Sequence, residues 1–160
     1  MNHEQAKKAL KNTESFGDPY YIVYDDFLPA NEFGYLKTYL TEASEPFWTI
    51  SNQINKYDLD KLHMVSMLRM KANLYVPSVK GQYIHAPHVD YDFGHQGALF
   101  FVTTCDAPTY MFDGTPIESI ENRLLLFNPG TPHASSAPTN VPFRITININ
   151  FLGQGIHGNY

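Results

Sequence analysis

The chain has 160 residues, 43% hydrophobic and 17% charged, which suits one folded domain over 1–160 and excludes a disordered or fibrous polypeptide. A net charge of −5 with no basic run argues against a nucleic-acid surface, and the single cysteine, Cys105, excludes an intrachain disulfide framework. Met1 to Lys11 lacks the apolar centre of a signal peptide, and no stretch reaches the roughly 18 apolar residues of a membrane span, so the expectation is a soluble, cytoplasmic protein with no membrane partner.

In chain order, residues 3–12 read as a short polar helix or a frayed end, and 20–24 (Tyr-Tyr-Ile-Val-Tyr) as a strand closed by Asp25, Asp26 and Pro29. Residues 29–43 carry Phe33, Leu36 and Leu40 at spacings of three and four, with Pro29 and Glu32 suited to a helix start, so they predict a helix despite Gly34. Phe47, Trp48 and Ile50 mark a strand over 46–52, and 53–62 is a polar loop. Residues 63–76 alternate, with Leu68, Met70, Ala72, Leu74 and Val76 on one face and Arg69, Lys71, Asn73 and Tyr75 on the other. Further strands are expected at 82–90, 97–104, 109–112, 115–118, 123–128 and 142–151. Aromatics reach 14%, with 11 Tyr and 11 Phe, and with so many short strands this favours a mainly β sandwich or barrel.

The last strand alternates strictly. Ile145, Ile147, Ile149 and Phe151 form an apolar face; Arg144, Thr146, Asn148 and Asn150 form a polar one. The polar face is exposed to water if the strand is half-buried, and lines a cavity if the apolar face packs under a helix; periodicity does not separate the two.

Three local signals bear on chemistry. His88-Val89-Asp90 puts an imidazole and a carboxylate on one face of an extended segment, two of the three ligands of a facial triad. Thr131-Pro132-His133 follows the strand candidate 123–128 and the turn Asn128-Pro129-Gly130, so His133 can be aimed back into a barrel mouth. Arg144, with Thr146 in phase, offers a bidentate fork and a hydroxyl to an anion. Each has an ordinary alternative: a surface histidine beside an unrelated acid, an exposed loop histidine, and an arginine on an edge strand.

As an ordered set these motifs resemble the 2-oxoglutarate/Fe(II)-dependent dioxygenases, and among them the prolyl-4-hydroxylase-like branch. The opening Tyr24-Asp25-Asp26-Phe27-Leu28-Pro29 followed by a helix is similar to the start of such domains, and the resemblance covers 20–152. It implies a double-stranded β-helix (jelly roll) with one or two supporting N-terminal helices. It implies Fe(II) on His88, Asp90 and His133 as the catalytic centre. It implies 2-oxoglutarate as cosubstrate, with its far carboxylate on Arg144 beside Thr146, and with Tyr75 as a further contact or else a core aromatic. The reaction implied is hydroxylation of a small-molecule or peptide substrate, such as a prolyl residue, with consumption of dioxygen.

One departure is Phe100-Phe101, where some relatives carry a tyrosine able to bond the cosubstrate. His85 is three residues from His88, out of phase in an extended strand, and reads as a substrate-side or surface residue; Asp92 is a fallback carboxylate; His95 falls in the loop with Gly94 and Gly97. Loops 53–62, 78–87 and 91–97 are expected to border the mouth. Two other readings stand: a metal-dependent cupin that does not use 2-oxoglutarate, although no Glu follows His88 and Asp90 before Glu118, and a non-catalytic jelly-roll binding module.

Overall fold

The structure is a computed structural model that describes residues 1–42, 62–79, 81 and 83–153; the strand expected at 46–52 and the loop 53–61 lie outside them. The chain opens with α1 (His3–Asn12), started by a reciprocal cap in which Gln5 N donates to Asn2 Oδ1 at 2.9 Å and Asn2 N donates to Gln5 Oε1 at 3.0 Å. Its Ala6 and Leu10 bury against Ile84, Tyr110 and Ala134, so 3–12 is a docked helix rather than a frayed end. After β1 (Tyr21–Tyr24), α2 (Ala30–Glu42) begins where the Pro29 carbonyl accepts from Phe33 N at 2.9 Å. Gly34 is tolerated because it faces outward, with nothing within 4 Å of a Cβ placed there.

Seven strands follow β2 (Met64–Tyr75): β3 (Tyr83–Ile84), β4 (Gln96–Phe101), β5 (Cys105–Tyr110), β6 (Pro116–Ser119), β7 (Arg123–Phe127), β8 (Ser136–Ala137) and β9 (Arg144–Gly153). The main sheet is antiparallel in the order β1-β7-β4-β9-β2. The facing layer is assembled from shorter pieces. β6 pairs with β5, Tyr110 of β5 bridges Ala134, β8 pairs with β3, and His88 bridges His133. Two antiparallel layers folded on each other in this way make a jelly roll.

The helix and the two layers divide the core in two. Under α2, Phe33 and Leu36 pack on Ala98, Phe100, Leu124, Leu126, Ile145, Ile147, Ile149 and Phe151. Burial of each large side chain contributes roughly 1.5–3 kcal/mol. Between the layers, Leu99, Phe101, Leu125 and Phe127 of the main sheet meet Met111 and Ile117. β4 and β7 are therefore buried on both faces and read as continuous apolar runs. β9 buries its isoleucines under α2 and turns its polar residues inward between the layers, which decides the question that its alternation left open.

Several strand limits differ from expectation. The stretch 97–104 ends as a strand at Phe101, because side-chain hydroxyls take over from the ladder: Thr103 Oγ1 accepts from Ile145 N at 3.0 Å and Thr104 Oγ1 accepts from Glu121 N at 3.0 Å. Cys105–Tyr110 is strand in spite of Asp106 and Pro108; the pairing with β6 is irregular between Cys105 and Thr109, where the proline would have had to donate. Of 82–90, only Tyr83–Ile84 and the bridge at His88 are β, and β8 has too little sequence to announce itself. No helix among the described residues is long and apolar enough to cross a membrane.

Candidate active site

His88 and His133 face each other across an isolated antiparallel bridge. Each backbone N–H donates to the other's carbonyl at 3.0 Å, and the rings stand 4.5 Å apart between centroids. The turn after β7 aims His133. Gly130 N donates to Asn128 Oδ1 at 2.9 Å, Thr131 Oγ1 donates to Asn128 O at 2.6 Å, and Asn128 Nδ2 donates to Asp18 O at 2.9 Å. The turn passes so close to the N-terminal segment that a Cβ on Gly130 would lie 2.6 Å from the Phe16 carbonyl oxygen. Asp90 is fixed to the same turn by its N–H, which donates to Pro129 O at 2.9 Å.

One ligand atom each from His88, Asp90 and His133 lie within 4.8 Å of one another. The Nδ1 of His133 lies 3.0 Å from Thr131 O, and that of His88 lies 3.4 Å from Ala86 O. A carbonyl only accepts, so the His133 Nδ1 carries the proton and its Nε2 lone pair is free for a metal. His133 is buried, and burial first, then His88, pull its pKa down to about 4, which keeps the ring neutral as a ligand must be.

Burial alone would raise the Asp90 pKa. His133, the amides of Asn148 and Asn150, and the Arg69 guanidinium outweigh it and hold the carboxyl below its ordinary value. Asn148 Nδ2 donates to Asp90 Oδ2 at 3.0 Å and Arg69 Nη2 lies 3.1 Å from Asp90 Oδ1. Asn150 acts on this carboxylate only as a nearby dipole, since neither its Nδ2 nor its Oδ1 makes a hydrogen bond. Two imidazoles and one carboxylate on one side of an open cavity suit a divalent transition metal such as Fe(II), and also Zn(II) or Ni(II).

The three lie at a cavity of about 400 Å3, whose wall also includes Tyr75, Leu99, Thr109, Phe127, Arg144 and Thr146. Arg144 is fully buried. Its Nη2 donates to Thr109 Oγ1 at 2.8 Å, its Nη1 to Ser136 O at 3.1 Å and its Nε to Ser119 Oγ at 3.4 Å. The rings of Tyr75 and Phe101 flank the guanidinium at 5.1 and 5.6 Å. No carboxylate pairs with it among the described residues, although a buried charge ordinarily has a counter-ion. Burial pulls its pKa down, yet an arginine remains protonated. Beside it, Thr146 Oγ1 is buried without a partner. An inward cation and an orphaned hydroxyl on one wall fit an anionic ligand.

All six residues singled out in the sequence, His88, Asp90, His133, Arg144, Thr146 and Tyr75, line this one cavity. His85 does not; its Nδ1 sits 3.1 Å from Ser135 O, and its ring packs against Tyr75 and Tyr83. Asp92 is exposed and outside the ligand cluster, and His95 is buried against Tyr91 and Phe93 with its Nδ1 2.9 Å from Phe93 O. The roles of Arg69, Lys71 and Asn148 were missed, although their phase was legible: Arg69 and Lys71 alternate with Tyr75 along β2, and Asn148 with Arg144 along β9.

No family model and no curated protein sequence matches the chain. Solved structures do. A viral collagen prolyl hydroxylase from Paramecium Bursaria Chlorella virus-1, in complex with 2-oxoglutarate, superposes with a TM-score of 0.57 at 15% identity, over 85% of this chain and 97% of that one. HygX from Streptomyces hygroscopicus, with nickel and 2-oxoglutarate bound, gives 0.61 at 10% identity over 85% and 82%. The non-haem, 2-oxoglutarate-dependent epimerase SnoN from nogalamycin biosynthesis gives 0.62 at 8% over 94% and 80%. The chain thus has the jelly-roll fold that these 2-oxoglutarate-using proteins share.

Proposed function

We propose that this protein is a non-haem Fe(II) oxygenase that couples oxidative decarboxylation of 2-oxoglutarate to hydroxylation of an organic substrate. The observation that carries the reading is the buried, acid-free Arg144 in the same cavity as the His88/Asp90/His133 cluster. Neither a cupin-type metal site nor a passive binding module requires such a cation beside the metal cluster. An oxygenase needs it to hold the far carboxylate of a dicarboxylic cosubstrate.

In this reading His88, Asp90 and His133 hold the metal and leave its other positions to ligands. Bound iron supplies the redox chemistry that turns 2-oxoglutarate and dioxygen into succinate, carbon dioxide and an oxidant for a substrate C–H bond. The chain itself binds and orients. Asn148 fixes one oxygen of Asp90, and the Thr131 carbonyl fixes the His133 tautomer. Arg144 would donate to the cosubstrate carboxylate through the N–H groups it does not spend on Thr109, Ser136 and Ser119, and Thr146 Oγ1 would donate beside it. Tyr75, packed against the guanidinium, adds a phenolic donor to the same end, where Phe101 has none to give. Leu99 and Phe127 keep the wall between the two ends apolar and limit water.

The prolyl hydroxylase among the structural neighbours makes a prolyl residue one candidate substrate and a small metabolite stands as another, and the epimerase shows that the fold serves other outcomes. The test is succinate formation from 2-oxoglutarate with Fe(II) and dioxygen, with and without added substrate. Wild type should form succinate even uncoupled, and His133→Ala should form none; equal amounts from both would refute the reading.

A further inference from the structure

We infer that the substrate is a small molecule bearing a carboxylate, which Arg69 and Lys71 bind at the metal end of the cavity; this rests on the oxygenase reading above. β2 presents Arg69, Lys71, Asn73 and Tyr75 to the cavity, and β9 answers rung by rung: Arg69 opposite Asn150, Lys71 opposite Asn148, Asn73 opposite Thr146, Tyr75 opposite Arg144. At about 3.4 Å per residue the Arg69 rung lies roughly 20 Å along the strand from the Tyr75 rung. The cavity therefore has two cationic ends, and a five-carbon dicarboxylate anchored on Arg144 with its other carboxylate on the metal has no group left for Lys71.

The charges say the same. Among the described residues the cavity wall carries three cations, Arg69, Lys71 and Arg144, against one carboxylate, Asp90, in a chain whose net charge is −5. Iron(II) and the 2-oxoglutarate dianion cancel each other, so two positive charges remain on this described wall when both are bound. A cleft walled by protein focuses that field on whatever enters next.

Clamping Asp90 does not account for the pair. Asn148 already holds that carboxylate, and Arg69 engages it through Nη2 while its Nε is buried without any partner. The Tyr91 ring, 5.4 Å from the guanidinium carbon, fixes the plane of the Arg69 fork. Lys71, two residues on and in phase, makes no ion pair or hydrogen bond among the described residues. An oriented fork and an uncommitted ammonium on adjacent rungs fit a carboxylate.

The test uses full-length protein loaded anaerobically with Fe(II) and saturating 2-oxoglutarate. It is titrated with acetate, benzoate and N-acetyl-L-proline and with their primary amides. Binding is read by calorimetry, and retention of 2-oxoglutarate by the visible charge-transfer band. The expected result is one equivalent of acid bound without loss of the band, at least one acid binding about tenfold or more tighter than its amide. Lys71→Gln should keep the band and reduce that preference to below about threefold; Arg69→Gln, which also removes a partner of Asp90, should reduce the preference likewise in whatever fraction of the protein still shows the band, and Arg69→Lys should restore part of it. Acids and amides that bind alike, acids that bind only by displacing 2-oxoglutarate, or no binding by any acid to protein that shows the band would overturn the assignment. Absence of the band in wild type would instead defeat the oxygenase reading, and this inference with it.

Discussion

Replacing Arg144 by methionine should move ligand affinity and stability in opposite directions. The side chain is fully buried, carries a charge with no acid beside it among the described residues, and donates to Thr109, Ser136 and Ser119. Without cosubstrate that charge is uncompensated, and its removal recovers several kcal/mol of desolvation cost. Against this stands the Ser136 carbonyl, left without its donor, at about 1–3 kcal/mol. The hydroxyls of Thr109 and Ser119 can rotate to new partners, and methionine refills most of the volume. The metal-free variant should therefore be as stable as wild type or up to about 2 kcal/mol more so, which is a rise of roughly 4–8 °C in Tm for a domain of this size. Binding of 2-oxoglutarate should suffer instead, because a carboxylate left unpaired in the cavity costs about 3–5 kcal/mol, or roughly 150- to 4,000-fold in Kd. Calorimetric titration of 2-oxoglutarate into Mn(II)-loaded protein measures the second effect, and urea unfolding of the metal-free protein measures the first. A variant that loses about 3 kcal/mol of stability and binds 2-oxoglutarate within about threefold of wild type would make Arg144 a structural residue and refute the reasoning.

Other outcomes follow from the same geometry. Asp90→Ala and His133→Ala should each abolish stoichiometric Fe(II) binding, measured by metal analysis after desalting, while Asp92→Ala, remote from the cluster, should retain it. Metal-free protein should lose stability as pH falls from about 6.5 to about 4, because the unfolded chain takes up a proton at His133 that the folded chain refuses. At 1.36 kcal/mol per pH unit that amounts to about 3 kcal/mol, and Asp90, whose folded pKa is also depressed, adds to the loss below its unfolded value of 3.8. Urea midpoints measured across that range check both, and a His133→Gln variant should flatten the upper part of the slope. Asn122→Ala should cost about 2–4 kcal/mol, since Asn122 sits at φ 61 and its amide clasps both N–H and C=O of Leu28 at 2.9 Å.

The sequence was most legible where a period of two runs long. β9 declared its two faces because eight alternating residues leave one register, and α2 declared itself by its apolar spacing and its start at Pro29, whereas 3–12 read equally as a helix or a frayed end. His88, Asp90, His133 and Arg144 were each weak signals alone and stood out only as an ordered set; the fold brings all four to one cavity. What escaped was set by contacts distant in sequence. β8 is two residues long and exists only because β3 pairs with it, and Cys105–Tyr110 became strand against its own Asp and Pro because β6 lies beside it. Arg69 lies on β2, 21 residues before Asp90 in the chain, and nothing local announces that the two side chains meet at 3.1 Å.

The central claim is that one cavity holds Fe(II) on His88, Asp90 and His133 and 2-oxoglutarate between that metal and Arg144. Anaerobic titration of the Fe(II)-loaded protein with 2-oxoglutarate, followed by visible absorption, tests it most directly. The account predicts a charge-transfer band that saturates at one equivalent in wild type, is absent in His133→Ala and needs far more 2-oxoglutarate in Arg144→Met. Stoichiometric iron with no band at any 2-oxoglutarate concentration would contradict it and favour a cupin-type metal site.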